Sequence, residues 1–168
     1  MSEKKRIGTE GFGLFAKKSY QTGEIILTES EWYADLTEDW IVLPVSEIHK
    51  MTASEKESFL KYSFDIEFGL TKGTFQEQAL TNPANFINHS CHPNTEFDGE
   101  DNIRAKKPIR EGEELFIDYG TFIVNFDQTF ACECGESQCR QWIRKEDWKI
   151  LINKDKTNVA KFIRMSQI

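Results

Sequence analysis

Apolar positions in this chain come in short bursts broken by glycine, proline and charge, a pattern that predicts many short strands and few strong helices. The first burst, Gly11-Phe12-Gly13-Leu14-Phe15-Ala16, predicts a glycine-rich turn from Ile7 running into an apolar strand. Gly23–Glu29 predicts a turn and a strand, and Trp40–Leu43 a further strand stopped by Pro44. Thr52 and Glu55 stand at capping-box spacing, with Phe59, Leu60 and Phe64 at helical intervals behind them. Together they predict a helix that fades between Tyr62 and Asp65. Gly69 and Gly73 punctuate a region with no assignable period, and Asn82-Pro83 starts a short turn.

The stretch Asn85–Asn94 then concentrates polar side chains before Pro93, entered through the apolar pair Phe86-Ile87. A turn of this composition predicts a rigidly held backbone against which something binds. Beyond it, Thr95–Phe97 and Asn102–Ala105 predict two strands joined by a tight turn at 98–101. Lys106–Glu113 is a charged connection, and Glu114–Gly120 resumes strand character. In the tail, Trp148 and Leu151 share one helical side, and Val159–Ile163 predicts a last short helix. The pattern as a whole predicts a β-rich α+β fold, and the length of 168 residues fits one compact unit.

Charge narrows the partners. Twenty-eight acidic against 21 basic residues give a net charge of -7, so the overall field opposes a nucleic-acid backbone and suits a basic peptide or protein tail. No apolar run is long enough to span a bilayer, and the charged start Met1–Arg6 precedes glycines rather than an apolar signal core. A soluble, intracellular protein is the expectation, without membrane association.

Four cysteines occur, at 91, 132, 134 and 139. A disulfide between Cys132 and Cys134 would close a tiny strained ring, so the cluster is better read as thiolate ligands for metal. Cys132-x-Cys134-x4-Cys139 supplies three ligands, and tetrahedral zinc needs a fourth. Cys91 is the remaining thiol, with His89 and His92 as alternatives.

Taken together, these motifs resemble the SET-domain protein lysine methyltransferases followed by their post-SET zinc module, from about Gly11 to Arg140. Gly11–Ala16 resembles the family's N-terminal glycine motif, Asn88-His89-Ser90-Cys91-His92-Pro93-Asn94 its Asn-His-Ser-Cys-x-Pro-Asn motif, and Glu114–Tyr119 its Glu-Leu-x-x-Asp-Tyr motif. Cys132-x-Cys134-Gly135-x3-Cys139-Arg140 resembles the post-SET pattern. The resemblance implies short twisted sheets around a pseudoknot of the Asn88 and Tyr119 segments, with a SET domain over 1–126 and a post-SET zinc segment and helical tail over 127–168. It also implies Cys91 as the fourth ligand of one zinc ion.

The activity so implied is transfer of a methyl group from S-adenosylmethionine to a lysine ε-amine, with histone tails as the expected substrate and no direct nucleic-acid binding. Tyr119 would be the catalytic tyrosine, with Tyr62 a further aromatic of the lysine channel. Gly11, Phe12, Gly13, Phe86, Asn88 and His89 would hold the cofactor, and Trp142 would stack on its adenine. Ile117 stands where the family has Phe or Tyr and would admit di- or trimethylation. Asn85 stands where many relatives carry an arginine that contacts the cofactor's carboxylate. The other reading is a catalytically silent zinc-stabilised module that binds lysine-containing tails, or a methyltransferase of a non-histone protein. Oligomeric state is not legible; a eukaryotic source would imply the nucleus, a bacterial or viral one the cytoplasm or host cell.

Overall fold

Short strands carry the architecture, and in the computed structural model, which describes residues 2–7, 11–34, 37–128 and 130–167, none exceeds six residues. Strands β1 (Ser2–Ile7) and β2 (Gly11–Ala16) form an antiparallel hairpin. The expected turn residues Gly8, Thr9 and Glu10 lie outside the described residues. β3 (Ile25–Leu27) pairs with β9 (Ile103–Ala105), which pairs in turn with β8 (Thr95–Phe97). A third sheet has the order β4 (Ile41–Pro44), β6 (Leu70–Gly73), β5 (Ser63–Glu67). Two further strands, β7 (Asn88–His89) and β10 (Phe116–Ile117), run parallel, with Phe116 opposite Asn88 and Ile117 opposite His89.

The capping box at Thr52 is present: the Thr52 hydroxyl accepts from the Glu55 N–H while the Glu55 carboxylate accepts from the Thr52 N–H. The helix it opens, α3 (Ala53–Lys61), ends one turn sooner than its apolar spacing suggests, because Tyr62 leaves helical geometry at φ -126° and ψ 57°. Phe64 therefore sits on β5, and the unassigned glycines mark a hairpin, Gly69 at its turn with φ 84°. Thr28 likewise ends the predicted strand early by capping α1 (Glu29–Trp32). α2 (Val45–Ile48) follows β4 directly, and α4 (Trp148–Lys154) and α5 (Lys161–Met165) complete the chain.

One core unites these pieces. Leu14, Phe97, Ile103, Leu115 and Ile117 are fully buried in the same cluster as Val159, Ala160 and Ile163 from the C-terminal segment. Asp65, itself buried, accepts from Thr71 Oγ1 and from the N–H groups of Val124 and Asn125, at 2.7 to 2.8 Å, tying the β5–β6 hairpin to the segment after Tyr119. No described helix is long and apolar enough to cross a membrane.

Candidate active site and metal centre

The polar turn after Ile87 and the segment around Tyr119 are laid side by side by the β7–β10 pairing, and their side chains lock it. Asn94 donates to the Glu114 carbonyl and accepts from the Phe116 N–H, both at 2.8 Å, so one buried amide pairs with backbone on both sides of Leu115. Asn88 Nδ2 donates to the Phe12 carbonyl at 3.0 Å and to Glu114 Oε1 at 2.9 Å. Both its N–H groups are thereby engaged, and Asn88 joins the glycine motif to the Glu-Leu-x-x-Asp-Tyr motif.

His89 is held in one tautomer. Its Nδ1 accepts from the Tyr119 N–H at 3.1 Å, which puts the ring proton on Nε2, 3.4 Å from Cys91 Sγ. Burial pushes its pKa down to about 4, so the ring is neutral at pH 7 despite Asp118 nearby. Tyr119 donates its hydroxyl to the Ile87 carbonyl at 2.8 Å, and burial pushes the phenol's pKa up to about 12. Its ring meets those of His89, Phe122 and Phe130 with centroids 5.3, 5.4 and 6.4 Å away.

Two cavities have this tyrosine in their walls. The first, about 340 Å³, is walled largely by aromatic and apolar groups, including Trp40, Tyr62, Phe64 and Phe122. The second, about 740 Å³, has more charged groups in its wall, with Lys107, Glu114 and the cysteine segment beside His89. Asn88, Tyr119 and Phe130 belong to both walls.

The four cysteines converge as well. Their sulfurs all lie within 4.8 Å of one another, with Cys91 Sγ and Cys132 Sγ 3.8 Å apart. A tetrahedral ion with Zn–S bonds of about 2.3 Å sets its sulfurs about 3.8 Å apart, so this donor set fits zinc. The Arg140 N–H points at Cys91 Sγ and the Gln141 N–H at Cys139 Sγ, at 3.4 and 3.3 Å, the arrangement that stabilises thiolate charge. Arg140 extends the link: its guanidinium bonds Asp118 and lies 3.2 Å from Asp147 at the start of α4.

Other expected site residues lie further from the cavities. Gly11, Phe12, Gly13, Phe86, Ile117 and Trp142 line neither of them. Phe12 and Phe86 pack edge to face at 5.9 Å, with the Lys4 ammonium 3.8 and 3.7 Å from the two ring centroids. Ile117 is fully buried in the core, and Trp142 is 41% exposed with the Arg144 guanidinium over its ring. Phe130, which carried no motif, is the aromatic of the tail that reaches the cavities. Its one sequence signal is its place two residues before Cys132.

The SET-domain family model matches residues 11–120, and the chain belongs to that family. Among curated relatives, it is 27% identical to the histone-lysine N-methyltransferase ATX2 of Arabidopsis thaliana over 79% of this chain, and 30% identical to the histone-lysine N-methyltransferase trr of Drosophila melanogaster over 80%. These matches span only 12% and 5% of the relatives' own lengths. Among solved structures, Arabidopsis thaliana SUVH6 in complex with SAM superposes with a TM-score of 0.53 at 22% identity, covering 84% of this chain and 32% of that one. The shared fold is thus the SET fold.

Proposed function

We propose that this protein is an S-adenosylmethionine-dependent protein lysine N-methyltransferase, acting on a lysine in a basic protein tail such as that of a histone. The observation that carries this reading is the common wall of the two cavities: ligands on either side meet across Asn88, Tyr119 and Phe130. The aromatic first cavity suits an aliphatic lysine side chain and its amine, and the larger, more charged cavity suits a nucleoside. When bound, the methyl donor would supply an electrophilic methyl on sulfur to the lysine nitrogen's lone pair, the S–C bonding pair staying with sulfur and the amine's proton going to water.

The protein's part is positioning and desolvation. A free lysine, with a pKa of about 10.4, is protonated at neutral pH, and an apolar cavity lowers that value by disfavouring the charged form. Tyr119 keeps its proton on Ile87 and presents its oxygen's lone pairs to the methyl-transfer point, orienting the amine rather than taking its proton. Asn88 and His89 hold the cofactor, with the backbone of Gly11, Phe12 and Gly13 and the Phe86 ring as the outer shell around Asn88. Tyr62 lines the lysine channel, and Phe130, which borders both cavities, makes the aromatic contact with the adenine that was expected of Trp142. Cys91, Cys132, Cys134 and Cys139 hold one zinc ion that pins the segment 127–168 to the SET body 1–126. Ile117 has no hydroxyl with which to anchor a water, which favours di- or trimethylation, although it is fully buried and lines neither cavity.

Incubation with labelled S-adenosylmethionine and a histone mixture, for the wild type and Tyr119→Phe, tests the proposal. Label on histone lysines, lost in the variant, supports it; no transfer by the zinc-loaded wild type to histones or to a cell lysate contradicts it and favours a binding module. Ile117→Tyr should shift the product towards monomethyllysine, read as product mass at saturation.

A further inference from the structure

The first cavity is walled from two parts of the chain that no described strand pairing joins. Tyr62, Ser63 and Phe64 reach it from the start of β5, and Tyr119, Phe122 and Ile123 from the segment after β10. β5 is the edge of its sheet and pairs only with β6. Two polar side chains make the connection instead. Asp65 Oδ2 accepts from the N–H groups of Val124 and Asn125 at 2.7 and 2.8 Å, while its Oδ1 accepts from Thr71 Oγ1 at 2.7 Å. Asn125 completes the contact: its Oδ1 accepts from the Gly69 N–H at 2.8 Å, and its Nδ2 lies 3.1 Å from the carbonyls of Glu67 and Leu70 and 3.2 Å from Thr71 Oγ1. The tip of the same hairpin is held again by Phe68, whose ring packs edge to face on Trp148 of α4 and Phe162 of α5, with centroids 5.5 and 5.8 Å away.

We propose that Asp65 and Asn125 are positioning residues for methyl transfer, a polar lock that fixes the 62–64 wall of the lysine cavity against the 119–123 wall. The inference rests on the methyltransferase reading. Hydrogen bonds are directional, so a carboxylate that takes two consecutive backbone N–H groups, and an amide that pairs with both arms of a hairpin, fix orientation as well as distance. Neither Asp65 nor Asn125 lines a cavity, so both act through the residues they hold. Their effect is also confined to one side of the site, because no residue of the β5–β6 hairpin or of 122–125 belongs to the second cavity's wall. Loosening the lock therefore shifts the groups around the lysine amine and leaves the nucleoside's surroundings in place. A shift on the order of 1 Å costs on the order of 100-fold in rate. A role in folding alone would instead lower the amount of competent protein and leave its kinetics intact.

Initial rates of methyl transfer by the zinc-loaded protein to core histones, or to a cell lysate where histones take none, test this beside calorimetric titration with S-adenosylmethionine. Rates are referred to the calorimetric binding stoichiometry, so unfolded protein drops out of the comparison. Asn125→Ala and Asp65→Ala should each lower kcat/KM for the protein substrate roughly 10- to 100-fold while the Kd for S-adenosylmethionine stays that of the wild type. Asp65→Asn should restore most of the rate, because its Oδ1 still accepts from the two N–H groups and its Nδ2 can donate to Thr71 Oγ1. If Asp65→Ala yields no cofactor-binding protein, Asn125→Ala with Asp65→Asn carries the test. Wild-type kcat/KM in Asn125→Ala overturns the inference and leaves the methyltransferase reading standing, and so does a Kd for S-adenosylmethionine that rises in step with the loss of rate. A wild type that methylates neither histones nor lysate proteins overturns both.

Discussion

The hydroxyl of Tyr119 has one described partner, the Ile87 carbonyl, so Tyr119→Phe removes a single hydrogen bond and opens no cavity. Stability should fall by about 1 kcal/mol, whereas kcat for methyl transfer should fall on the order of 100-fold because the amine loses its orienting oxygen. The two effects are separable by thermal unfolding and single-turnover kinetics. The same phenol makes a pH prediction. Its folded pKa of about 12 exceeds the ordinary 10.0, so between these values the unfolded chain has released a proton that the native state retains. Its contribution to stability is complete below pH 10 and declines from there to about 12. Wild type should therefore lose more stability than Tyr119→Phe across that window in denaturant titrations; parallel curves would contradict the burial of this group.

Elements show where sequence and structure part. The capping box made α3 legible, and Thr52→Ala should cost about 1 kcal/mol by circular dichroism melting. The hairpin β5–β6 was hidden because Phe64 falls at a helical interval from Leu60, and only the break at Tyr62 hands it to a strand. β1 was illegible for another reason: Glu3, Lys4, Lys5 and Arg6 carry no apolar alternation, and the strand exists through its register with β2. The motif positions Asn88, His89 and Tyr119 were readable at once, but Phe130 and Arg140 gain their places from the cysteine cluster folding back on the turn. Gly120 shows how closely that return packs. A Cβ there would stand 2.9 Å from Asp147 Cβ and 3.0 Å from Leu151 Cδ1, so Gly120→Ala should push α4 away and destabilise by about 1–3 kcal/mol.

At the scale of the molecule, the tail is part of the body rather than an appendage. Val159, Ala160 and Ile163 share the core with Leu14 and Ile117, and Arg140 ties the cysteine segment to Asp118 and Asp147. Zinc loss should therefore leave the core folded while freeing Phe130 from the cavities. Chelation should release one metal ion per chain and abolish methyl transfer with much of the circular dichroism signal retained, and Cys91→Ser should lower zinc content in the same way. The central claim is that two cavities meeting at Tyr119 carry a methyl group from a nucleoside donor to a lysine. Mass spectrometry of histone and lysate proteins after incubation with the zinc-loaded protein and S-adenosylmethionine measures it most directly. The account predicts whole-methyl mass increments on lysine side chains that vanish with Tyr119→Phe. Increments of equal size in that variant, or none in the wild type, would contradict it.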